Sequence, residues 1–470
     1  MQDQWKIDVE SEDHRSRRDM TEKSITRYVK GEIDRKVTSS STSSSVFVSD
    51  CSWIMGASVA QPAYLCCGLS NGSACLLNTS NLSKIYLFEV DRDSRSSPRD
   101  SDRGGQGQRS ERESSLSQQL VAVATHTVPV GTNPAAAQAL LCITLDNAVC
   151  VCPMDMSTVL ERKKVSRSDL ARVKSFPAVG TGTVLHSSVR FNSKGNHILA
   201  LLCIGQESSV ARGLSSVRYC AAIITSQDAT VSLQSKYTSE QDWHFLVPPS
   251  AVGDSHSDVP VELCYCAWWA SDTLVCLWSN SALQFLNAAD MRVIGECRLL
   301  RHCAPDAVTN AAVSQSGAVA VADSALSGLV AVVLDHHLAA SFHVTTQYSA
   351  TSELQEQKRH RSEALLAVMV TPTMQTYCTE DIPICEVHLV QSFSWTVVLL
   401  LESGALVFLD AETMRLSVHR PVTRLRAPNA SRYHAGALMA SPRHFFCIFN
   451  GRPFSAVVVE HNTAILLKSQ

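Results

Sequence analysis

Two pairs of cysteines have a spacing that could matter chemically, Cys150-Val151-Cys152 and Cys264-Tyr265-Cys266. Strand side chains repeat every two residues, so each pair would set two thiols on one face. Two thiolates are half of a tetrahedral zinc site, but structural zinc sites space the pair by two to four residues on a tight turn. The expected role is core packing, with thiols acting as small apolar groups. His336 and His337 invite a metal reading too. Neighbouring strand residues face opposite ways, so a turn is their expected place. Gly68-Leu69-Ser70-Asn71-Gly72 has the form of a hydrolase nucleophile elbow, G-x-S-x-G. That elbow joins a strand to a helix. Here apolar, strand-like runs lie on both sides, and Asn71-Gly72 reads as a hairpin turn. No G-x-x-x-x-G-K-[ST] loop occurs, and no G-x-G-x-x-G leads from a strand into a helix. The expectation is therefore no catalytic, no cofactor-binding and no metal residue, and no cofactor.

Three basic clusters remain: Arg162-Lys163-Lys164 with Arg167, Arg172 and Lys174; Lys358-Arg359-His360-Arg361; and Arg424, Arg426 and Arg432. Such clusters attract phosphate backbones or serve as nuclear localisation signals, and otherwise form solvated loop surface. Base readout in RNA needs aromatic rings beside the charge, and only Phe176 and Tyr433 stand near these clusters in sequence. Trp268-Trp269 places two indoles on opposite faces of a strand. Either both are buried between sheets, or one is exposed as an interface anchor.

The elements that would position these residues are strands. From Val46 onward, short runs rich in Val, Leu, Ile and Cys alternate with Gly, Asn, Ser and Asp, which is strand-and-turn grammar. Only Ser166–Lys174 and Glu353–Leu366 could hold helical turns. A two-strand phrase recurs with divergence, starting near Ala63, Ala139, His197, Asp272, Gly317, Trp395 and Phe445. Recurrence on this scale marks an array of one supersecondary unit. Most units have a further apolar run upstream, which brings each to about four strands. Several close on an apolar residue followed by Asp or Asn, as at Leu77-Asn78, Leu286-Asn287, Leu334-Asp335 and Leu409-Asp410. In two units a Met-Arg pair follows, Met291-Arg292 and Met414-Arg415.

Strand, small turn, strand ending in an apolar residue plus Asp, then a polar turn into an outer strand: this phrase resembles the WD repeat, most closely at Asp410–Leu416. The resemblance implies an all-β fold, a seven-bladed β-propeller of the WD-repeat type with four-stranded blades around a central channel. No Trp-Asp pair ends a strand and no Gly-His dipeptide opens a unit. The expected layout is a disordered tail over 1–45 and a propeller over 46–470, with insertions near 91–117, 162–182, 238–260 and 345–361. Ala464–Lys468 reads as a final strand, and Ser24–Lys30 as a stray one able to complete the last blade.

The 470 residues carry a net charge of −3, which gives no global drive toward nucleic acid or anionic membrane. Seventeen cysteines lie inside apolar runs, as buried thiols do in a reducing compartment. The N-terminus has no apolar signal region, and no run approaches the ~18 apolar residues of a membrane span. An intracellular protein, cytoplasmic or nuclear, is expected. The expected function is a non-catalytic protein-interaction scaffold, a subunit of a multiprotein assembly that binds other protein subunits. A nucleic-acid role through the basic clusters is the alternative, and a propeller hydrolase with polar channel groups is a third reading.

Overall fold

A computed structural model describes residues 48–55, 62–69, 74–78, 84–88, 121–129, 137–145, 147–155, 169–178, 182–205, 217–227, 236–239, 241–249, 261–300, 308–313, 319–322, 325–348, 366–373, 375–379, 381–391, 395–402, 405–416, 423–424, 444–449, 455–460 and 463–468. The expected tail over 1–45, the strand Ser24–Lys30 and the insertion 91–117 lie outside the described residues.

Every strand pairing is antiparallel, and the sheets follow one another along the chain. The first contains β1 (Val48–Met55), β2 (Pro62–Leu69), β3 (Ala74–Asn78) and β4 (Lys84–Phe88). The second contains β5 (Val123–Pro129), β6 (Ala137–Leu145), β7 (Ala148–Asp155) and β8 (Ala171–Ser175). The third contains β9 (Thr183–Phe191), β10 (His197–Gly205) and β11 (Val217–Ser226), with the short β12 (Tyr237–Thr238) and β13 (His244–Leu246) both on β11. The fourth contains β14 (Leu263–Trp268), β15 (Thr273–Trp278), β16 (Ala282–Asn287) and β17 (Val293–Arg298). The fifth contains β18 (Val308–Val313), β19 (Val319–Ala322), β20 (Ala325–Leu334), β21 (Leu338–Tyr348), β22 (Leu366–Pro372) and β23 (Tyr377–Cys378). The sixth contains β24 (Ile384–Gln391), β25 (Trp395–Leu401), β26 (Ala405–Asp410) and β27 (Thr423–Arg424). The last group has three strands, β28 (His444–Phe449), β29 (Ser455–Glu460) and β30 (Thr463–Lys468).

The first strands of successive sheets lie beside one another: β1 with β5, β5 with β9, β14 with β18 and β18 with β24. β28 adjoins both β24 and β1. This is the arrangement of a β-propeller, in which the first strand of each blade stands nearest the axis. The expectation of seven blades is corrected to six, because six sheets have a blade's four strands or more. The seventh sequence unit supplies three apolar runs of six residues, taken up as β28 to β30. Among the described residues no fourth strand joins them.

Second strands explain the long apolar runs. All six residues of β15 are buried. Val275 and Leu277 belong to one core with Val330 and Val332 of β20. Leu274, Cys276 and Trp278 belong to another, with Leu199 and Cys203 of β10. A middle strand is thus pressed from both sides by neighbouring blades, and alternation carries no polar partner. β20 repeats the split: Leu329, Ala331 and Val333 turn to a core with Val397 and Leu399 of β25. Burying each Leu or Val side chain contributes roughly 1.5–3 kcal/mol.

The recurrent Asp or Asn endings have a local cause. The Asp410 carboxylate accepts the backbone N–H groups of Glu412 and Thr413 and the Thr413 hydroxyl. Asn287 accepts the N–H of Ala289 in the same way. Met414 and Met291 then adopt positive φ, 54° and 59°, and each donates its N–H to the carbonyl of the Asp or Asn four residues back. Arg415 and Arg292 offer the carbonyls that accept the N–H groups of Asp410 and Asn287. The Met side chains fold inward and are buried. The phrase is a capped hairpin turn, which the short Asx side chain stabilises.

Two local expectations fail. Ser166–Lys174 was a candidate for helical turns in an insertion, but Ala171–Ser175 forms β8, the outer strand of its sheet. An outer strand is half solvated, so Arg172 and Lys174 alternate with the inward Val173, a pattern that resembles a charged loop when read as composition. Within 238–260, His244–Leu246 forms β13. Of the 345–361 insertion, residues 345–348 belong to β21 and the rest lies outside the described residues. The Glu353–Leu366 run also lies outside them, except that Leu366 opens β22.

Candidate functional site

The first strands carry a different pattern from the second ones. On β9, Ser187 and Val189 are buried against the second sheet, where the Ser187 hydroxyl lies 3.1 Å from that of Thr144. The alternate residues His186, Ser188 and Arg190 keep solvent contact. Protein nevertheless surrounds His186 closely: burial, and then the Arg190 charge, lower its pKa. A side chain hemmed in by protein yet in contact with solvent is what the strand nearest a propeller's axis would present to the central channel.

Arg190 donates to the Tyr265 hydroxyl of β14 at 2.9 Å, and its guanidinium lies 4.8 Å from the centre of the same ring, a cation–π distance. The carbonyl of Arg190 accepts Trp268 Nε1–H at 3.2 Å. On β1, one Asp50 carboxylate oxygen accepts the Val123 N–H of β5 at 2.8 Å. Ser52 and Thr125 pair at 2.9 Å. On β18, Asn310 donates to the Cys385 carbonyl of β24 at 2.9 Å. Glu386 and His388 share a face of β24, with 3.0 Å between carboxylate and imidazole. Apart from the Glu386–His388 pair, which lies within β24, these polar groups tie successive first strands together, and all of them form the candidate site. The Glu386–His388 pair has the composition of an acid–base dyad, the feature that the hydrolase reading requires.

The sequence-derived candidates take other places. Cys150 and Cys152 lie on β7 in the blade interior. Burial raises the pKa of both thiols, that of Cys152 to about 12, so they stay protonated. Cys266 faces Cys276 across β14 and β15 with 3.4 Å between sulfurs, and Cys264 donates its thiol to the Val308 carbonyl. His336 sits in the β20–β21 turn, where Asp335 and His336 both have positive φ, 45° and 60°, as a type I′ hairpin requires. His337 stands with Nδ1 3.2 Å from the Thr379 carbonyl oxygen. The G-x-S-x-G string joins the antiparallel β2 and β3. A Cβ on Gly68 would lie 2.3 Å from the Val121 carbonyl oxygen, so this glycine is required by packing. Among the described residues no three of His, Cys, Asp and Glu gather as a metal site.

Trp268 and Trp269 are both buried, at 3% and 1% exposure. Trp268 joins the core toward the third sheet and Trp269 the core toward the fifth, where Trp269 Nε1 donates to the Thr346 hydroxyl at 3.0 Å. Of the basic clusters, Arg172 and Lys174 lie on β8 and Arg424 on β27. Arg162, Lys163, Lys164, Arg167, Lys358, Arg359, His360, Arg361, Arg426 and Arg432 lie outside the described residues. Lys174 donates to the Gln241 carbonyl. Phe176, just beyond β8, meets Trp243 edge-on at 6.0 Å.

Sequence reasoning passed over Arg190, Tyr265, Glu386 and His388. The signal was there as period-two polarity, His186-x-Ser188-x-Arg190 and Glu386-x-His388. It gains meaning only once those runs are known to be the first strands of their blades.

No family model matches this chain, and no curated protein matches it. Solved structures do. The chain is similar to the β-propeller domain of Cps50 (Swd1) from Myceliophteria thermophila at 10% identity, over 87% of this chain and 93% of that one, with a TM-score of 0.44. It is similar to Sqt1 from Saccharomyces cerevisiae at 9% identity, over 90% and 96%, with a TM-score of 0.39. Similarity to Raptor from Chaetomium thermophilum, at 7% identity and a TM-score of 0.46, spans 90% of this chain and 28% of that one. The propeller assignment here rests on the strand pairing itself. Among the described residues no helix is long and apolar enough to cross a membrane.

Proposed function

We propose that the chain is a non-catalytic interaction scaffold, an intracellular subunit of a multiprotein assembly. The observation that carries this reading is apolar surface on the outermost strands. Phe245 and Val247, in and just after β13, are 56% and 70% exposed, and Met369 of β22 is 63% exposed. Large apolar side chains exposed on a rigid frame are candidates for docking contacts. Thiols held protonated by burial suit a reducing compartment. The test is affinity purification of the full chain with identification of stoichiometric partners. A Phe245→Ser, Val247→Ser variant should lose a partner while keeping its melting temperature. Purification of the wild type alone, as a stable monomer, would contradict the reading.

One observation favours a second reading, the binding of single-stranded nucleic acid. Phe176 and Trp243 stand beside Arg172 and Lys174, which puts rings next to charge as base stacking requires. That reading expects RNA affinity to fall linearly on a log–log scale as salt rises. Salt-independent binding, or none, would remove it.

A further inference from the structure

The Arg190 guanidinium has five N–H donors, and one bond uses them within the protein, that to the Tyr265 hydroxyl. Among the described residues no carboxylate lies within ion-pair distance of it. Burial works against its charge, and Tyr265, Cys266 and Asp50 together outweigh that effect, so the group is held positive. The nearby Asp50 acts through space and commits one oxygen to the Val123 N–H. Because Tyr265 accepts from Arg190, its own O–H is free in direction to donate outward. Ser188 stands one alternate position away on the same face of β9, with its hydroxyl bonded to no described residue. The guanidinium fork and the phenolic O–H meet across β9 and β14, and the Ser188 hydroxyl lies on the same face of β9 as Arg190. His186, the next alternate position, extends the row.

We propose that this face is a binding site for an oxyanion group, a phosphate or a carboxylate, held by Arg190 with Tyr265 and Ser188. A guanidinium hemmed in by protein, with no carboxylate of the described residues bound to it, leaves N–H donors for an anion, and the planar fork matches two oxygens of such a group at once. A free anion would satisfy the site, so the inference does not depend on a protein partner. Its failure would leave the scaffold reading standing.

The test is calorimetric titration of the full chain with inorganic phosphate and, separately, with glutarate, at ionic strength held constant with sodium chloride. Saturable binding of either at about 10 mM or below is expected, and the tighter of the two identifies the group. Arg190→Lys keeps the charge but loses the fork, and should weaken binding by about tenfold or more. Tyr265→Phe keeps the ring under the guanidinium and should weaken it several-fold. Asp50→Asn, which still offers an acceptor to Val123, should tighten it. Near-ultraviolet circular dichroism shows whether each variant is folded, and Tyr265→Phe serves if Arg190→Lys is not. No saturable response to either anion, or affinity equal in the folded variants and the wild type, overturns the proposal.

Discussion

β15 and β9 differ in what their alternation does. In β15 both faces are dry, one turned to each neighbouring blade, and every side chain from Thr273 to Trp278 is buried. In β9 one face is dry and the other lines the channel, so Ser187 and Val189 are buried while His186, Ser188 and Arg190 meet water. The comparison separates two roles within one unit. Middle strands hold blades together by apolar burial, and first strands present polar chemistry to the axis while pairing with their neighbours. Stability should therefore be most sensitive at second and third strands.

The largest expected effect follows from placing charge in the dry layer. Leu409 of β26 is fully buried, in the core between the fifth and sixth sheets. Leu409→Asp would bury an unpaired carboxylate at a cost of about 3–5 kcal/mol or more. Loss of soluble, cooperatively melting protein is expected, and wild-type melting would show that β26 is misplaced. Gly68→Ala tests the close approach of β2 to the segment before β5. With the Val121 carbonyl oxygen 2.3 Å from the added carbon, the backbone must shift, at about 1–3 kcal/mol. A denaturation midpoint equal to the wild type would contradict that approach.

The smallest effect is in pH. Burial lowers the pKa of His126, His186 and His197 in the folded protein. Above the ordinary imidazole value of about 6.5 these side chains are neutral in both states, and their contribution is fully present. As pH falls from 6.5 through the lower folded values, the unfolded chain binds protons that the folded one refuses, and stability declines. Melting temperature should drop over that window, and replacing His126 with Gln should flatten the drop. A melting temperature that rises on acidification there would reverse the assigned direction.

The fold was legible wherever burial on both faces wrote a continuous apolar run. The unit starts read near Ala63, Ala139, His197, Asp272 and Trp395 coincide with β2, β6, β10, β15 and β25. The turn residues Asn287 and Asp410 were legible because their capping is local. Outer strands were not: Ala171–Ser175 looks like a charged loop until β7 supplies its partner. The last unit offers three apolar runs, and Ser24–Lys30, the stray strand able to complete its blade, lies outside the described residues. The channel site was invisible because Arg190 and Tyr265 meet across 75 residues of sequence, through ring geometry that no local pattern encodes. The Trp268-Trp269 pair was legible as two-faced, but only packing of blades on both sides decided that both indoles are buried.

The most direct measurement compares adjacent positions on β9. Ser188→Cys and Val189→Cys, each in the full chain, can be treated with a small thiol-alkylating reagent, with modification at each site followed by mass spectrometry. The Ser188→Cys thiol should react readily from the channel, while the Val189→Cys thiol, locked against the second sheet, should be protected by a large factor. Equal reactivity, or protection at 188 with reaction at 189, would contradict a first strand that divides its faces between blade and channel.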